Sequence, residues 1–170
     1  MGEPVGGLRR RLIKDNLYLM LYNSLDALGW FDTSISSMSV ELVPEQIDSL
    51  TEITPNKVGI ASEDFVSEEY EMGSYLDEDV WEIFVDIFAE GESVGVHLSG
   101  DIYDIFRGKI AGRSGPNLNV YDLTATGEPY LFTCGLQEIE LSRVREWEKP
   151  FNKYWWVIRC EVVDYYFGEG

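Results

Sequence analysis

Residues 154–166 constrain the fold more than any other part of the chain, because they predict a strand that is apolar on both faces. Side chains alternate between the two faces of a strand. One face carries Trp156, Ile158, Cys160 and Val162, and the other carries Trp155, Val157, Val163 and Tyr165. A strand of this kind is buried on both sides, either at the centre of a sheet or beneath a neighbouring subunit. The fold must therefore place residues 154–166 either at the centre of a sheet or beneath a neighbouring subunit.

Two helices are predicted from apolar residues that recur with a period of about 3.6 residues. The first covers residues 8–28 and ends at Gly29, and the second covers residues 93–107, with Ser93 as the N-cap and Gly108 after its end. Alternation with a period of about two residues predicts strands elsewhere. These strands are residues 38–42, 57–61, 81–89, 120–124 and 130–141, with loops at 44–56 and 112–119 and a bulge near Gly135. At 170 residues, the chain is expected to form a single domain, 1–170.

Acidic residues dominate the charge, since 31 Asp and Glu against 13 Lys and Arg give a formal net charge of −18. This charge disfavours nonspecific binding to nucleic acids and to anionic membranes. The acid-rich segment, residues 62–79, contains eight acids and no base, and its Val66, Tyr70 and Met72 still alternate as in a strand. It predicts a solvated acidic hairpin with a turn before Val80. Calcium binding is less favoured, because a helix-flanked loop with acids at alternate positions and a central glycine is absent.

Residues that carry catalysis or bind cofactors form no motif in this chain. There is no glycine-rich phosphate loop with its lysine, no dinucleotide fingerprint, no paired-histidine zinc helix and no serine elbow. The single histidine, His97, and the two cysteines, Cys134 and Cys160, are too few for a metal site built from such ligands. We therefore expect a protein that is not an enzyme and uses no cofactor or metal. His97 is expected to be structural, and both cysteines are expected to be buried, reduced thiols.

The basic start of the chain, with Arg9, Arg10, Arg11 and Lys14, is not interpreted as a signal peptide. The apolar run that follows, residues 17–22, has only six residues and polar flanks, so it is too short for a signal core or a membrane span. We expect a soluble protein that is synthesised in the cytoplasm and has no membrane partner.

Several large apolar residues exceed what one core needs. Leu12, Leu19 and Tyr22 lie on the side of the first helix opposite its main apolar face. They predict a second contact surface, and scattered exposed apolar residues are the alternative. Trp155 and Tyr165 belong to an excess of aromatic residues that suits subunit interfaces. These five residues are the candidate subunit interface.

The order of elements and three stretches of sequence resemble the tail terminator proteins of long-tailed, siphovirus-type bacteriophages. The stretches are Leu8-Arg9-Arg10-Arg11-Leu12, residues 80–90 leading directly into the second helix, and residues 155–167. The resemblance implies an α+β fold in which two α-helices pack on a single mixed or antiparallel β-sheet. It also implies assembly into a six-fold ring, a homohexamer.

By the same resemblance, the chain is expected to be a structural virion protein of the tail and neck, made in the cytoplasm of the bacterial host. Such a ring caps the tail tube, terminates tube polymerisation and joins the tail to the head. Its partners are the tail tube protein and the head-completion or stopper protein. Double-stranded DNA passes through the ring without specific binding, which acidic walls favour. Two alternatives stay open, namely another neck component (a stopper or adaptor) and a free acidic inhibitor that mimics DNA.

Overall fold

The computed structural model describes residues 6–32, 39–44, 56–69, 76–110, 115–145 and 154–167. Two helices and six strands lie in these described segments. The helices are α1 (Gly6–Ala27) and α2 (Glu92–Phe106). The strands are β1 (Val40–Val43), β2 (Asn56–Glu69), β3 (Leu76–Ala89), β4 (Asn117–Tyr121), β5 (Tyr130–Arg143) and β6 (Tyr154–Phe167).

The described strands form one sheet in the order β1-β2-β3-β6-β5-β4. Neighbouring strands are antiparallel except β1 and β2, which are parallel. The coarse prediction of an α+β fold with a single mixed sheet and two helices is therefore confirmed. β6 lies between β3 and β5, so of the two positions predicted for this strand the structure shows the central one.

The hydrophobic core lies between the sheet and the helices. Every second rung in the centre of the β3–β6 ladder places two apolar side chains on the inward face. The inward pairs are Ile83 with Cys160, Val85 with Ile158, and Ile87 with Trp156, and all six residues are buried. The regular alternation of these strands thus supplies a continuous apolar floor for both helices.

α2 packs on this floor through the predicted apolar stripe, in which Leu98, Ile102 and Ile105 are fully buried. The expectation that Ser93 caps the helix is wrong, because Gly91 is the N-cap and the helix begins at Glu92. Gly108 follows the helix as predicted, with φ +70° in the left-handed region that glycine adopts without strain.

α1 is contacted by both edges of the sheet. On one side, the Tyr18 hydroxyl donates to the backbone oxygen of Leu42 in β1 at 3.3 Å. On the other side, the Asn16 side chain bonds to the backbone of Tyr121, the last residue of β4. Since β1 and β4 are the two edge strands, the sheet must curl around α1. The helix therefore covers part of each edge, where unpaired backbone groups would otherwise face water.

A buried ion pair fixes the start of α1 to the far end of β6. Arg9 Nε and Nη2 lie 2.5 and 2.7 Å from the two carboxylate oxygens of Asp164, and both side chains are at most 4% exposed. The Arg9 guanidinium also lies 3.5 Å from the centre of the Phe132 ring in β5. A planar guanidinium can bind a carboxylate at two points while it stacks on an aromatic ring. One side chain of α1 thus contacts both β5 and β6.

The acidic hairpin predicted for residues 62–79 is confirmed in its two antiparallel strands, but these strands are longer than expected. β2 continues to Glu69 and β3 begins at Leu76, so residues 76–79, directly before Val80, belong to a strand. Residues 70–75 lie outside the described residues. β3 pairs with β2 on one side and with β6 on the other, from Leu76 opposite Phe167 onward. This double pairing satisfies the backbone of acidic residues whose strand propensity is low.

Three smaller boundaries also differ from the predictions. β1 and β4 are shifted along the chain, so residues 117–119 belong to a strand and not to the predicted loop at 112–119. Residues 45–55 and 112–114 of the two predicted loops lie outside the described residues. The bulge predicted near Gly135 lies slightly further along β5, between Gln137 and Glu140, and Glu138 has φ +48°. The extra residue turns Ile139 back onto the core, which is the change of parity that the sequence pattern required.

Replacing Arg9 with methionine leaves the Asp164 carboxylate buried without its partner. Removing one partner of a buried pair costs about 3–5 kcal/mol, so we expect R9M to lower the free energy of unfolding by about that amount in urea denaturation. The double variant R9M/D164L should recover most of the loss. The control is Arg11→Met, because the Arg11–Asp15 pair is 77% and 51% exposed and such pairs contribute less than about 1 kcal/mol. Equal losses in R9M and R11M would contradict a structural role for the buried pair.

Two glycines of α2 offer a matched test of the close packing between helix and sheet. A Cβ at Gly95 would overlap the Trp156 ring, whereas a Cβ at Gly100 would meet nothing within 4 Å. We expect Gly95→Ala to lower the free energy of unfolding by about 1–3 kcal/mol, the usual cost of overpacking. Gly100→Ala should raise it by up to about 1 kcal/mol, because alanine favours a helix. Urea denaturation of both variants checks this, and a stabilised G95A would show that α2 does not pack this closely on β6.

Candidate subunit interface

The outward side of α1 is the first candidate contact surface. Leu12 does not belong to it, because the structure buries this residue in the core at 7% exposure. The prediction for Leu12 is wrong because the curled sheet covers more of the helix than a single flat sheet would. Leu19 is partly buried, and Tyr22 is 41% exposed. Of the three candidates on α1, Leu19 and Tyr22 therefore remain available on the surface of the described chain.

An aromatic row extends along this side, formed by Tyr18, Tyr22 and Phe31. The ring centres of Tyr18 and Tyr22 are 6.3 Å apart, those of Tyr22 and Phe31 are 4.7 Å apart, and both pairs are stacked. Tyr18 and Tyr22 are one helical turn apart, so the helix itself sets their alignment. The turn at Gly29, with φ +84°, then leads the chain back so that Phe31 continues the row. The result is a rigid, largely apolar strip on an acidic protein.

Two clefts flank α1, and Leu19 lines both of them. The β4 cleft, of about 350 Å³, lies between α1 and β4 and is lined by residues that include Met20, Asn23 and Asn119. The β1 cleft, of about 370 Å³, lies on the other side and is lined by residues that include Tyr18, Pro44 and Leu123. Tyr18 thus belongs to the aromatic row and to the β1 cleft, so these two features form one continuous surface.

Trp155 lies on the opposite side of the molecule, because its neighbour Trp156 faces α2 and strand residues alternate. Its ring stacks on Phe88 with centres 5.3 Å apart, and its indole N–H donates to Asp86 Oδ1 at 3.1 Å. Trp155 is partly buried and so forms a separate surface from the aromatic row. The backbone of Tyr165 lies in β6, and its side chain lies outside the described residues. The structure therefore brings Leu19 and Tyr22 together but not Trp155.

The outward face of the sheet carries an acidic cluster around one cation. Arg159 of β6 donates from Nε to Glu82 Oε1 at 2.8 Å, and its guanidinium lies 3.8 Å from Glu140 and 3.7 Å from Glu161. The hydrogen bond that Arg159 donates to the Glu82 carboxylate is the main cause that raises the pKa of Arg159 above its usual value. Three carboxylates around one guanidinium leave this face negative, although Arg159 offsets part of their repulsion.

His97 occupies a structural environment at the surface of α2. Its side chain is 60% exposed, and Nε2 lies 3.3 Å from Asp101 Oδ2. The same carboxylate oxygen accepts the indole N–H of Trp30 at 2.8 Å, and the His97 and Trp30 rings are 4.8 Å apart. The contacts join α2 to the turn that follows α1. Among the described residues, no group of three or more His, Cys, Asp or Glu side chains is arranged to hold a metal ion.

The hairpin between β4 and β5 holds a second exposed aromatic pair, Tyr121 and Tyr130, whose ring centres are 6.0 Å apart. Within this hairpin, Asp122 accepts hydrogen bonds from the hydroxyl and the backbone N–H of Thr124, at 2.7 and 3.0 Å. The hydroxyl bond and the backbone bond lower the pKa of Asp122. The turn thus keeps Tyr121 and Tyr130 beside the end of β4.

Two residues that position the candidate interface were not identified as important from the sequence. Arg9 was assigned to the basic start of the chain, and Asn16 to a polar flank. Both are buried on the inner side of α1, at 4% and 3% exposure. Their position on the helix was the available signal for this burial, because Arg9 precedes Ile13 by one turn and Asn16 lies beside Leu17 on the apolar face. A polar residue at such a position must have a partner, but the sequence did not show which partner.

No protein-family model and no curated protein sequence matches this chain. Neither described helix combines the length and the apolar character needed to cross a lipid bilayer.

Both cysteines are buried free thiols, Cys134 on β5 and Cys160 on β6. Because Gly135 lies opposite Val163, Cys134 is level with Asp164, which is about 13 Å along β6 from Cys160. A disulfide cannot bridge such a distance. We expect alkylation without reductant to modify both thiols in denatured protein and neither thiol rapidly in folded protein, as measured by mass spectrometry. Equal rates in the folded and denatured states would contradict the burial, and an intact Cys134–Cys160 bond in protein kept reducing throughout would contradict the free thiols.

Proposed function

We propose that this chain is a tail terminator, a structural virion protein that forms a ring on the end of a phage tail tube. The ring stops tube growth and joins the tail to the neck and head. The observation that carries this proposal is the aromatic row of Tyr18, Tyr22 and Phe31, together with Leu19, on the outward side of a firmly anchored helix. The sheet with two helices is the fold that the sequence resemblance implies, and this agreement supports the proposal further.

Charge explains why an apolar strip matters in this protein. Each copy carries a formal net charge of −18, so two copies repel each other unless they meet through surfaces that lack charge. Several cations are already paired within the chain, for example Arg9 with Asp164 and Arg143 with Glu92 at 2.9 Å. Attraction between opposite charges is therefore a weak basis for self-association. Apolar and aromatic contacts along α1 are a stronger basis for self-association, because aromatic residues contribute much of the binding energy of interfaces.

The proposed function depends on the shapes of the two faces of the ring, and no covalent bond is made or broken. One face of the ring binds the last ring of tube subunits, and the other face presents a different surface, so that no further tube subunit can add. Each subunit repeats the same contacts, and weak single contacts then combine into a firm cap through multivalency. We also propose that the chain is not an enzyme and needs no cofactor. The environment of His97 supports this, because its ring is engaged with Asp101 and Trp30 in joining two elements.

Two other functions are the alternatives. A stopper or adaptor of the neck would use the same kind of ring and differ in its neighbours. A free inhibitor that mimics DNA is favoured by one observation, the register of the acidic strands. This register places Glu63 opposite Glu82, Glu68 opposite Glu78, and Glu69 opposite Asp77. Mass in solution separates the classes, because an inhibitor of this size would act as a monomer or dimer.

Replacing Leu19 and Tyr22 with serine should weaken ring formation more than it affects the stability of the subunit. Each truncated aromatic or aliphatic contact costs about 1–2 kcal/mol at an interface, which weakens each subunit contact about tenfold or more. Native mass spectrometry and sedimentation velocity measure the ring, and urea denaturation measures the subunit. Val96→Ser is the control, because Val96 is 55% exposed but lies on α2. Normal rings in L19S/Y22S would rule out this interface.

The role in assembly is tested by removing the protein during phage production and imaging the tails. Without a terminator, tubes should grow to irregular, excessive lengths and should fail to join filled heads. Tails of normal length with heads attached would exclude the terminator role. Tails of normal length beside leaking, unjoined heads would favour the stopper alternative.

A further inference from the structure

One end of edge strand β4 is paired with a side chain that imitates a neighbouring strand. The Asn16 amide donates from Nδ2 to the Tyr121 backbone oxygen at 2.9 Å and accepts from the Tyr121 backbone N–H at 3.0 Å. Two such bonds to one residue are what an adjacent antiparallel strand would provide. Nδ2 also donates to the Leu12 backbone oxygen at 2.8 Å, which holds the amide in this orientation. The Tyr121 backbone groups therefore point away from β5.

Backbone N–H and C=O groups alternate in direction along a strand, so a second residue of β4 also points its backbone groups away from β5. The Leu136 N–H donates to the Pro116 carbonyl at 2.9 Å, so the backbone groups of Leu118 and Val120, two and four residues further on, point toward β5 as well. Asn119 lies between them and points its N–H and C=O the opposite way, in line with those of Tyr121. The outer edge of β4 thus presents Asn119 to the β4 cleft directly beside the site that Asn16 occupies.

The shape of the β4 cleft matches a single extended chain. α1 runs alongside β4 from Asn16, opposite Tyr121, to Ala27, which lines the cleft together with Ile110 and Asn117. From Asn117 to Val120, before the position that Asn16 occupies, β4 spans about 10 Å, so about three residues of a bound strand can lie beside it. α1 limits this space on the outer side. A second folded sheet, with its own helix beside its edge, would collide with α1, whereas a separate extended segment would not.

The charge of the cleft defines its occupant. The described residues that line the β4 cleft are all apolar or neutral polar, in a chain of which 26% of residues are charged. Leu19 and Met20 on one wall and Leu118 beneath suit apolar side chains at every second position of a bound strand. A charged side chain entering the cleft would lose hydration and would gain no partner there.

We propose that the β4 cleft is a peptide-binding site, which takes an extended and uncharged segment of another protein as a seventh strand of the sheet. Main-chain hydrogen bonds to Asn119 provide the affinity, and the neutral walls select against charged segments. Asn16 closes one end of the site and so sets where the bound strand must stop. This proposal stands on the geometry of β4 and α1, and it does not depend on the role of the ring.

Binding is tested on the full chain with a fluorescein-labelled peptide, Ser-Val-Thr-Val-Ser, blocked at both ends. We expect its polarisation to rise with protein concentration and exchange of the Asn119 amide to slow about tenfold when the peptide saturates the site. Exchange is followed by mass spectrometry with fragmentation that resolves single residues. The same peptide with every backbone nitrogen methylated should not bind, because it cannot donate main-chain hydrogen bonds. The peptide Ser-Glu-Thr-Glu-Ser should bind more weakly.

A matched pair of variants isolates the backbone of Asn119. Asn119→Pro removes the outward N–H, and proline is tolerated on an edge strand at such a position. Asn119→Ala keeps the N–H, and both variants lose the bond that the Asn119 side chain accepts from the Thr133 hydroxyl at 2.9 Å. We expect N119P to weaken peptide binding about fivefold to tenfold relative to N119A.

Three results would overturn the proposal, and all three are measured on the unmodified chain, so they do not depend on whether a variant folds. Equal binding of the methylated peptide, equal binding of the charged peptide, or no slowing of exchange at Asn119 would each do so. Without peptide, exchange of the Asn119 amide could instead slow as the protein concentration rises, together with an increase in the mass of the protein in solution. That result would assign the cleft to a second copy of this chain.

Discussion

A charge pair that water cannot reach connects the first helix to the strand at the centre of the sheet. Arg9 and Asp164 are both buried, and the Asp164 carboxylate accepts two hydrogen bonds from the Arg9 guanidinium in place of those that water would donate. The Phe132 ring beneath the guanidinium limits where Arg9 can lie. With this end of α1 fixed, Asn16 reaches Tyr121 on one edge of the sheet, and Tyr18 reaches Leu42 on the other. The outward direction of Tyr22 and Leu19 follows from these three anchors.

The described surface divides into parts of different chemical character. The outward side of α1 is aromatic and apolar, with a neutral cleft between the helix and β4. The outward face of the sheet carries Glu82, Glu140 and Glu161 around Arg159. In a protein of net charge −18, the acidic parts repel other copies and nucleic acid phosphates, whereas the neutral parts allow contact. Charge therefore restricts where a partner can bind, and apolar contacts supply the attraction.

The sequence predicted those elements whose burial follows a simple period. The face of β6 from Trp156 to Val162 is apolar because this central strand lies beneath α2, and the stripe from Leu98 to Ile105 is apolar because α2 lies on the sheet. The sequence did not predict the length of β2 and β3, since strand pairing on both sides of β3 outweighs the low strand propensity of its acids. It also misplaced Leu12, because a helical wheel assumes one covering surface and the curled sheet provides more. The roles of Arg9 and Asn16 depend on partners more than a hundred residues away, which no local pattern reveals.

The position of β6 has a consequence for how the chain acquires its structure during synthesis. β6 is the last described strand to leave the ribosome, yet it separates β3 from β5 in the finished sheet. Until it emerges, β1, β2 and β3 can form one ribbon and β4 and β5 another, but no strand pairing joins the two ribbons. Arg9 must likewise wait for a partner 155 residues further along the chain. Contacts over such separations form slowly. Until β6 has been translated, the edges of β3 and β5 therefore keep backbone groups unpaired that the finished sheet pairs with β6.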